Sequence, residues 1–322
     1  MVLWTIKCKY NENRSTNNMK DFRHWGLKKK EYPDLGYRAI WYNLNTIRLG
    51  SEPPKQLRPL QSEFYDISLG TRCNMNGSGC WFCYTGASQG GRDYSEICKK
   101  AVEFFGSLPT DDLPFQIACG SGGEPTIHPE FCEFLETIYN LGIVPNYTTN
   151  GLTLYHDNEL ADKILEYTEK YCAGVAISAN SFTEPIWRRA VERLGDIDVY
   201  TNLHVILSDQ ASVNRFFRIY KEYKDQIHTI VLLPLMPLGR SQEAMEPKAF
   251  DYLVSRWSEI DDPGKVAFGA HFYNYLKDQD IIKVYKYPPE SFSKNLILDD
   301  TIKITPSSFD TLTILWQKEY KP

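Results

Sequence analysis

No stretch of this chain approaches the roughly 20 consecutive apolar residues that a helix needs to cross a bilayer, so no transmembrane span is expected. The first residues, Met1-Val2-Leu3-Trp4-Thr5-Ile6-Lys7, already carry polar residues and lack the apolar core of a signal peptide. A cytoplasmic location is therefore expected. Cysteine is too sparse for a disulfide scaffold: eight are spread over 322 residues. A net charge of −5 argues against a surface that coats nucleic acid. Internal repeats and low-complexity tracts are absent, which excludes solenoids and disordered linkers as the main architecture.

The charge that is present is uneven. Residues 1–60 hold twelve Lys/Arg and five Asp/Glu, a net of +7, leaving −12 for the remainder. Within that segment Lys28-Lys29-Lys30 offers a docking point for an acidic peptide or nucleic acid, although a solvated, loosely packed extension accounts for it equally well.

From residue 64 the pattern becomes regular. Strands are expected at residues 64–69, 115–119, 144–148, 174–178, 199–207 and 227–233. Amphipathic helices are expected near 94–106, 128–141, 157–171, 184–194 and 213–224. Six strands alternating with five helices imply parallel strands joined by right-handed crossovers. That number suits an open doubly wound sheet or an incomplete barrel, being short of the eight in a closed one. Beyond Pro237-Leu238-Gly239-Arg240 the pattern weakens, with a helix near 247–259 and a hairpin at 296–304 turning on Asp299-Asp300. Three parts follow: a basic extension at 1–60, a core at 61–240 and a carboxyl-terminal helix and hairpin extension at 241–322.

In either parallel architecture the site gathers at the carboxyl ends of the strands. The suggestive residues lie there. Cys73, Cys80 and Cys83 follow the first strand, and Gly122-Gly123-Glu124-Pro125 follows the second. Thr148-Thr149-Asn150-Gly151 closes the third, Ser178 and Asn180 the fourth, and the Gly239-Arg240 string follows the sixth. The two-residue spacing of Cys80 and Cys83 lets both sulfurs reach one metal centre, with Cys73 a third. By themselves the cysteines leave an iron–sulfur cluster, a zinc site and a redox dithiol open. A zinc site lacks an obvious fourth ligand, and a dithiol does not explain Cys73. The glycines permit close approach of a ligand to the backbone, and Glu124 can accept hydrogen bonds from an ammonium group.

Taken together, these strings resemble the radical S-adenosylmethionine (SAM) enzymes over about residues 62–240. The resemblance implies an α/β fold, an incomplete (β/α)6 TIM-type barrel with amino- and carboxyl-terminal extensions. It implies a [4Fe–4S] cluster on Cys73, Cys80 and Cys83 whose fourth iron chelates SAM. Phe82 would lie against the adenine side, and Gly122, Gly123 and Glu124 would hold the methionine amino group. Thr149, Asn150, Ser178 and Asn180 would meet the ribose and carboxylate, with Arg188 or Arg189 reaching the carboxylate and the backbone of Leu233 the adenine. The implied activity is reductive cleavage of SAM to a 5′-deoxyadenosyl radical that abstracts hydrogen from a substrate. Implied partners are an electron donor and a substrate, with a peptide or protein favoured over a nucleotide or small molecule. The alternative is a non-catalytic zinc- or cluster-binding module that uses its basic amino terminus. One departure stands out: the family's common spacing is C-x3-C-x2-C, whereas six residues separate Cys73 from Cys80 here.

Three single residues have bland readings. Cys119 is expected as a buried core thiol, His128 as packing at a helix start and Tyr84 as a structural aromatic or a pocket wall. Serines at 307 and 308 stand where some relatives place a cysteine for a second cluster, so one cluster is expected.

Overall fold

The computed structural model describes residues 2–5, 26–42, 45–50, 58–75, 80–276 and 293–320. Four antiparallel strands open it: β1 (Val2–Thr5), β2 (Lys28–Tyr32), β3 (Tyr37–Tyr42) and β4 (Asn45–Gly50), in the order β1-β4-β3-β2. The alternating units expected from the sequence follow as β5 (Phe64–Ser68), α1 (Ile97–Gly106), β6 (Gln116–Cys119), α2 (Phe131–Asn140), β7 (Val144–Thr149), α3 (Leu152–Tyr155), α4 (Glu159–Tyr171), β8 (Gly174–Ser178), α5 (Glu184–Gly195), β9 (Tyr200–Leu207), α6 (Gln210–Tyr223) and β10 (Thr229–Pro234). The chain continues through α7 (Pro247–Ser255), β11 (Val266–Phe268), α8 (Tyr273–Leu276), β12 (Ser293–Leu298), β13 (Thr301–Thr305) and β14 (Trp316–Glu319).

The second sheet runs β11-β10-β9-β8-β7-β6-β5-β12-β13-β14. All pairs from β11 across to β12 are parallel, and β12-β13-β14 is antiparallel. The fold is an α/β partial barrel whose outermost strands, β11 and β14, do not pair with each other. The expected hairpin is β12–β13, yet it is not a mere appendage. β12 aligns with β5 from Ser293–Phe64 to Ile297–Ser68 and extends the parallel sheet on one side as β11 does on the other. The barrel thus has two more parallel strands than the six expected. No described helix is long and apolar enough to cross a membrane.

Period-two alternation sorts the strand residues. Tyr65, Ile67, Ile117, Val175, Ile177, Leu203, Val205, Ile230 and Leu232 are wholly buried in the core shared with the helices. Their neighbours Asp66, Ala118, Thr148, Ser178, His204 and Leu233 point to the concave face.

The first sheet corrects the picture of a loosely packed extension. Tyr32, Tyr37, Ala39 and Trp41 bury against Phe115, Val144 and Ala173, which begin or immediately precede β6, β7 and β8. This sheet closes the amino-terminal end of the barrel, opposite the strand ends that carry the cysteines. Glu63, 2% exposed, accepts two hydrogen bonds from Arg48 and one from the hydroxyl of Tyr37, tying β3 and β4 to the start of β5. The basic triplet is correspondingly not a free patch. Alternation turns Lys28 and Lys30 toward the barrel, where they donate to the carbonyls of Gly142 and Asp112; only Lys29 faces out. Burial lowers the pKa of both inward lysines to about 8.

Candidate functional site

The loop after β5 is fixed by backbone pairing on both flanks. Cys73 donates its N–H to the Ser88 carbonyl at 2.9 Å, and Cys83 to the Cys80 carbonyl at 3.1 Å, which makes the two-residue interval a tight turn. The middle of the long interval, residues 76–79, lies outside the described residues. The Gly122-Gly123 string packs directly on this loop. Gly123 and Glu124 donate to the carbonyls of Gly70 and Arg72 at 2.7 and 2.8 Å. A Cβ on Gly123 would lie 1.9 Å from the Arg72 carbonyl oxygen, and one on Gly122 would lie 2.2 Å from that of Gly70. The close approach that these glycines permit is therefore first an approach of two loops.

Glu124 is 6% exposed, and its carboxylate is fully engaged by protein donors. It accepts from the Thr126 hydroxyl at 2.6 Å and amide at 3.2 Å, the Thr149 hydroxyl at 2.8 Å and the Asn150 amide at 2.8 Å. Burial raises its pKa, and these bonds oppose the rise. Thr149 also accepts from Gly151, so neither Glu124 nor Thr149 turns an unengaged group to the mouth. They lock the end of β6 to the end of β7.

What they position is Asn150. Its amide nitrogen donates to Asn74 Oδ1 at 2.8 Å and reaches Cys73 Sγ at 3.7 Å, while its Oδ1 accepts from Leu152 at the start of α3. At the other end of the loop, Cys83 Sγ lies 3.4 Å from Thr85 Oγ1, which donates to the Gly122 carbonyl. Burial raises the Cys73 pKa and pushes Cys80 up to about 11; Cys83 raises both further. Thiols in this state need a bound metal to stabilise their thiolates.

Ser178 and Asn180 are drawn to the same mouth. Their side chains make no hydrogen bond among the described residues, although Asn180 is 6% exposed. Trp187 Nε1 donates to the Asn180 carbonyl at 3.1 Å, and Arg215 donates to the Ala179 carbonyl at 2.5 Å, so the loop is held while its polar side chains stay unpaired. Phe82 packs between Trp81 and Phe182, with ring centroids 5.5 and 5.9 Å away. Leu233 sits next to the last residue of β10 at the same barrel end.

Arg188 and Arg189 are not brought to the site. Arg188 pairs with Glu184, Glu222 and Tyr223, and Arg189 with Asp157 and Glu192. These acidic partners hold both guanidinium groups on the outer surface of α5. The single residues keep their bland roles. Cys119 is fully buried in the core, and His128 receives the Glu130 amide before α2. Tyr84 stacks on Phe309 at 4.3 Å.

Arg240 belongs to a strand-end string that the sequence marked without giving this residue a role. Its backbone N–H donates to the Cys83 carbonyl at 3.0 Å, and its guanidinium donates to the carbonyls of Cys80, Gly86 and Ala87. The only signal was a Gly-Arg pair at a strand end, and a strand end does not reveal what its loop will touch.

Among the described residues no three His, Cys, Asp or Glu side chains are arranged around a single metal ion. A four-iron cluster spaces its thiolates more widely than one tetrahedral zinc does. Three thiols on one loop, with Cys83 raising the pKa of the other two, fit a cluster with a polar cofactor adjoining it at unpaired Ser178 and Asn180.

A model of the radical SAM superfamily matches residues 67–246. No curated protein matches the chain. Among solved structures, Streptococcus suis SuiB bound to the precursor peptide SuiA is 12% identical with a TM-score of 0.59, over 79% of this chain and 62% of that one. SuiB bound to S-adenosylmethionine is 12% identical with a TM-score of 0.58, over 80% and 63%. At such identity the likeness is one of fold, and the chain spans less than two thirds of SuiB's length.

Proposed function

The chain belongs to the radical SAM superfamily, and from that premise we propose that it modifies a peptide or protein by abstracting a hydrogen atom. It is an enzyme whose cofactors are a [4Fe–4S] cluster and SAM, which sets aside the non-catalytic module. The chemistry supplied by the bound pair is reductive cleavage of SAM to methionine and a 5′-deoxyadenosyl radical.

The chain's part is binding, orientation and exclusion of water. Cys73, Cys80 and Cys83 hold three irons, and Asn150 orients Cys73 through its sulfur contact. The backbone of Gly122 and Gly123 borders the methionine amino group, and Glu124 with Thr149 serves by fixing Asn150. Ser178 and Asn180 meet the ribose and carboxylate, Phe82 flanks the adenine, and the Leu233 backbone meets its edge. Residues 61–240 form the SAM core, with 1–60 and 241–322 as extensions; β1 to β4 of the first lie beneath the core and β11 to β14 of the second widen its sheet. An external or protein donor supplies the electron, and a site built on cysteine ligands suits the reducing cytoplasm.

The observation that carries the reading is the convergence of the cysteine loop with the unpaired Ser178 and Asn180. A peptide substrate is supported by the fold shared with SuiB, which has been captured with a precursor peptide. Anaerobic protein reconstituted with iron and sulfide is expected to hold about four of each. With SAM and a reductant it releases 5′-deoxyadenosine, and a substrate peptide raises that release while changing its own mass. One bound zinc and intact SAM would overturn the assignment.

A further inference from the structure

Two hydrogen-bond acceptors without donors stand side by side on the concave face. Asp66 of β5 is the register partner of Asn295 of β12, and paired positions of adjacent strands project to the same face. Tyr65 and Ile67 on either side of Asp66 are wholly buried toward the helices, Tyr65 against Phe104 and Phe105 of α1. Alternation therefore turns Asp66 and Asn295 into the barrel.

Asn295 is 1% exposed; its amide nitrogen donates to Thr305 Oγ1 at 3.0 Å, and its Oδ1 has no partner among the described residues. Asp66 is partly exposed on the concave face, where it makes no side-chain hydrogen bond or ion pair among the described residues. The titratable groups that feel Asp66 are Tyr84 and Cys119, and neither supplies a charge: burial raises the pKa of both, and Tyr84 is also engaged with Ser308. Natural structures rarely leave a buried acceptor such as Asn295 Oδ1 unpaired without a use for it.

We propose that Asp66 and Asn295 form a subsite for a cationic nitrogen of the substrate, an ammonium or guanidinium group. Such a group brings only donors and a positive charge, which is what this pair lacks. A neutral ligand would leave the carboxylate uncompensated. The inference names a feature of the substrate and rests on the reading of the barrel interior as the substrate site.

Carboxyl-13C-aspartate NMR on reconstituted, SAM-loaded protein tests it, with the Asp66 resonance assigned by its loss in Asp66→Asn. The probes are N-acetyl-lysine methylamide, N-acetyl-arginine methylamide, n-butylammonium and the neutral N-acetyl-norleucine methylamide. A cationic probe is expected to move the Asp66 resonance saturably while norleucine leaves it in place. Asn295→Leu weakens that cation by about tenfold. Tighter binding of the blocked amino acids identifies a peptide side chain as the source, and tighter binding of butylammonium a small amine. An unmoved resonance with every cation overturns the subsite, as does an equal response to norleucine; both are expected if Asp66 instead stays protonated on Asn295. SAM cleavage by the same sample is read separately. Protein that cleaves SAM but ignores the cations sinks the subsite alone, and protein that binds cations without cleaving SAM sinks only the enzymatic reading.

Discussion

The backbone N–H of Arg240 donates to the carbonyl of Cys83 at 3.0 Å, so the loop after the sixth strand of the core pins the last cysteine of the first. Gly239 makes this contact sterically feasible. Its φ is +63°, and a Cβ there would sit 2.3 Å from the Tyr84 carbonyl oxygen and 2.4 Å from that of Cys83. Gly239→Ala is expected to displace the cysteine turn and cut iron incorporation severely. The control is Gly142→Ala, with φ +76° but open space around the added methyl. It costs only about 1 kcal/mol of stability and leaves iron content unchanged. Equal iron content in the two variants would refute the clamp.

Arg240→Ala removes the guanidinium that lowers the pKa of Cys80 and binds three loop carbonyls. The reconstituted variant is expected to lose its cluster faster in air and to show an altered electron paramagnetic resonance spectrum when reduced. Arg240→Lys keeps the charge but not the fork of donors, and recovers only part of the effect. Wild-type spectra and lifetimes in both variants would contradict this.

Glu124→Gln replaces a four-bond acceptor by an amide that turns a donor toward donors. The apo-protein should lose about 1–3 kcal/mol in urea unfolding, the cost of leaving a buried polar group unpaired. SAM cleavage should fall as well, because Asn150 and Cys73 lose their common support.

Acidity should act on stability through two groups with opposite signs. Burial raises Asp66 from 3.8 to about 7, so across that window the folded protein keeps a proton the unfolded chain has released, and stability falls as pH rises. Asp66→Asn is therefore expected to be more resistant to urea than wild type at about pH 8, the two converging near pH 4. His204 is depressed from 6.5 to about 4, so its contribution is lost as pH falls through that range. His204→Gln should flatten the acid limb, and an unchanged limb would remove His204 from the account.

Glu63→Gln breaks the buried tie between Arg48, Tyr37 and the start of β5. A loss of about 1–3 kcal/mol is expected, with SAM cleavage intact below the new melting temperature because this tie lies at the opposite barrel end. Loss of cleavage in a folded variant would indicate that the lower sheet communicates with the site.

Much of the core was legible because its signals are local. Alternation in β5 to β10 and the stripes of α1, α2, α4, α5 and α6 follow from the periodicity of residues close in sequence. The site strings at Cys73, Gly122, Asn150 and Ser178 were legible because parallel topology sends every strand's carboxyl end to one side. β11 was missed because three residues carry no period. The partnership of β12 with β5 was missed because it joins segments more than two hundred residues apart.

The sequence by itself determined the type of chemistry: three cysteines at the end of the first core strand, followed in order by four further strand-end strings. Only the tertiary structure decided which polar groups were already engaged. Glu124 and Thr149 are satisfied by each other and by nearby donors, Arg188 is held by Glu184 and Glu222, and Lys30 is turned inward, whereas Ser178, Asn180 and Asp66 are left unpaired among the described residues. Hydrogen-bond satisfaction depends on neighbours distant in sequence and on burial, and neither is written in the spacing of residues along the chain.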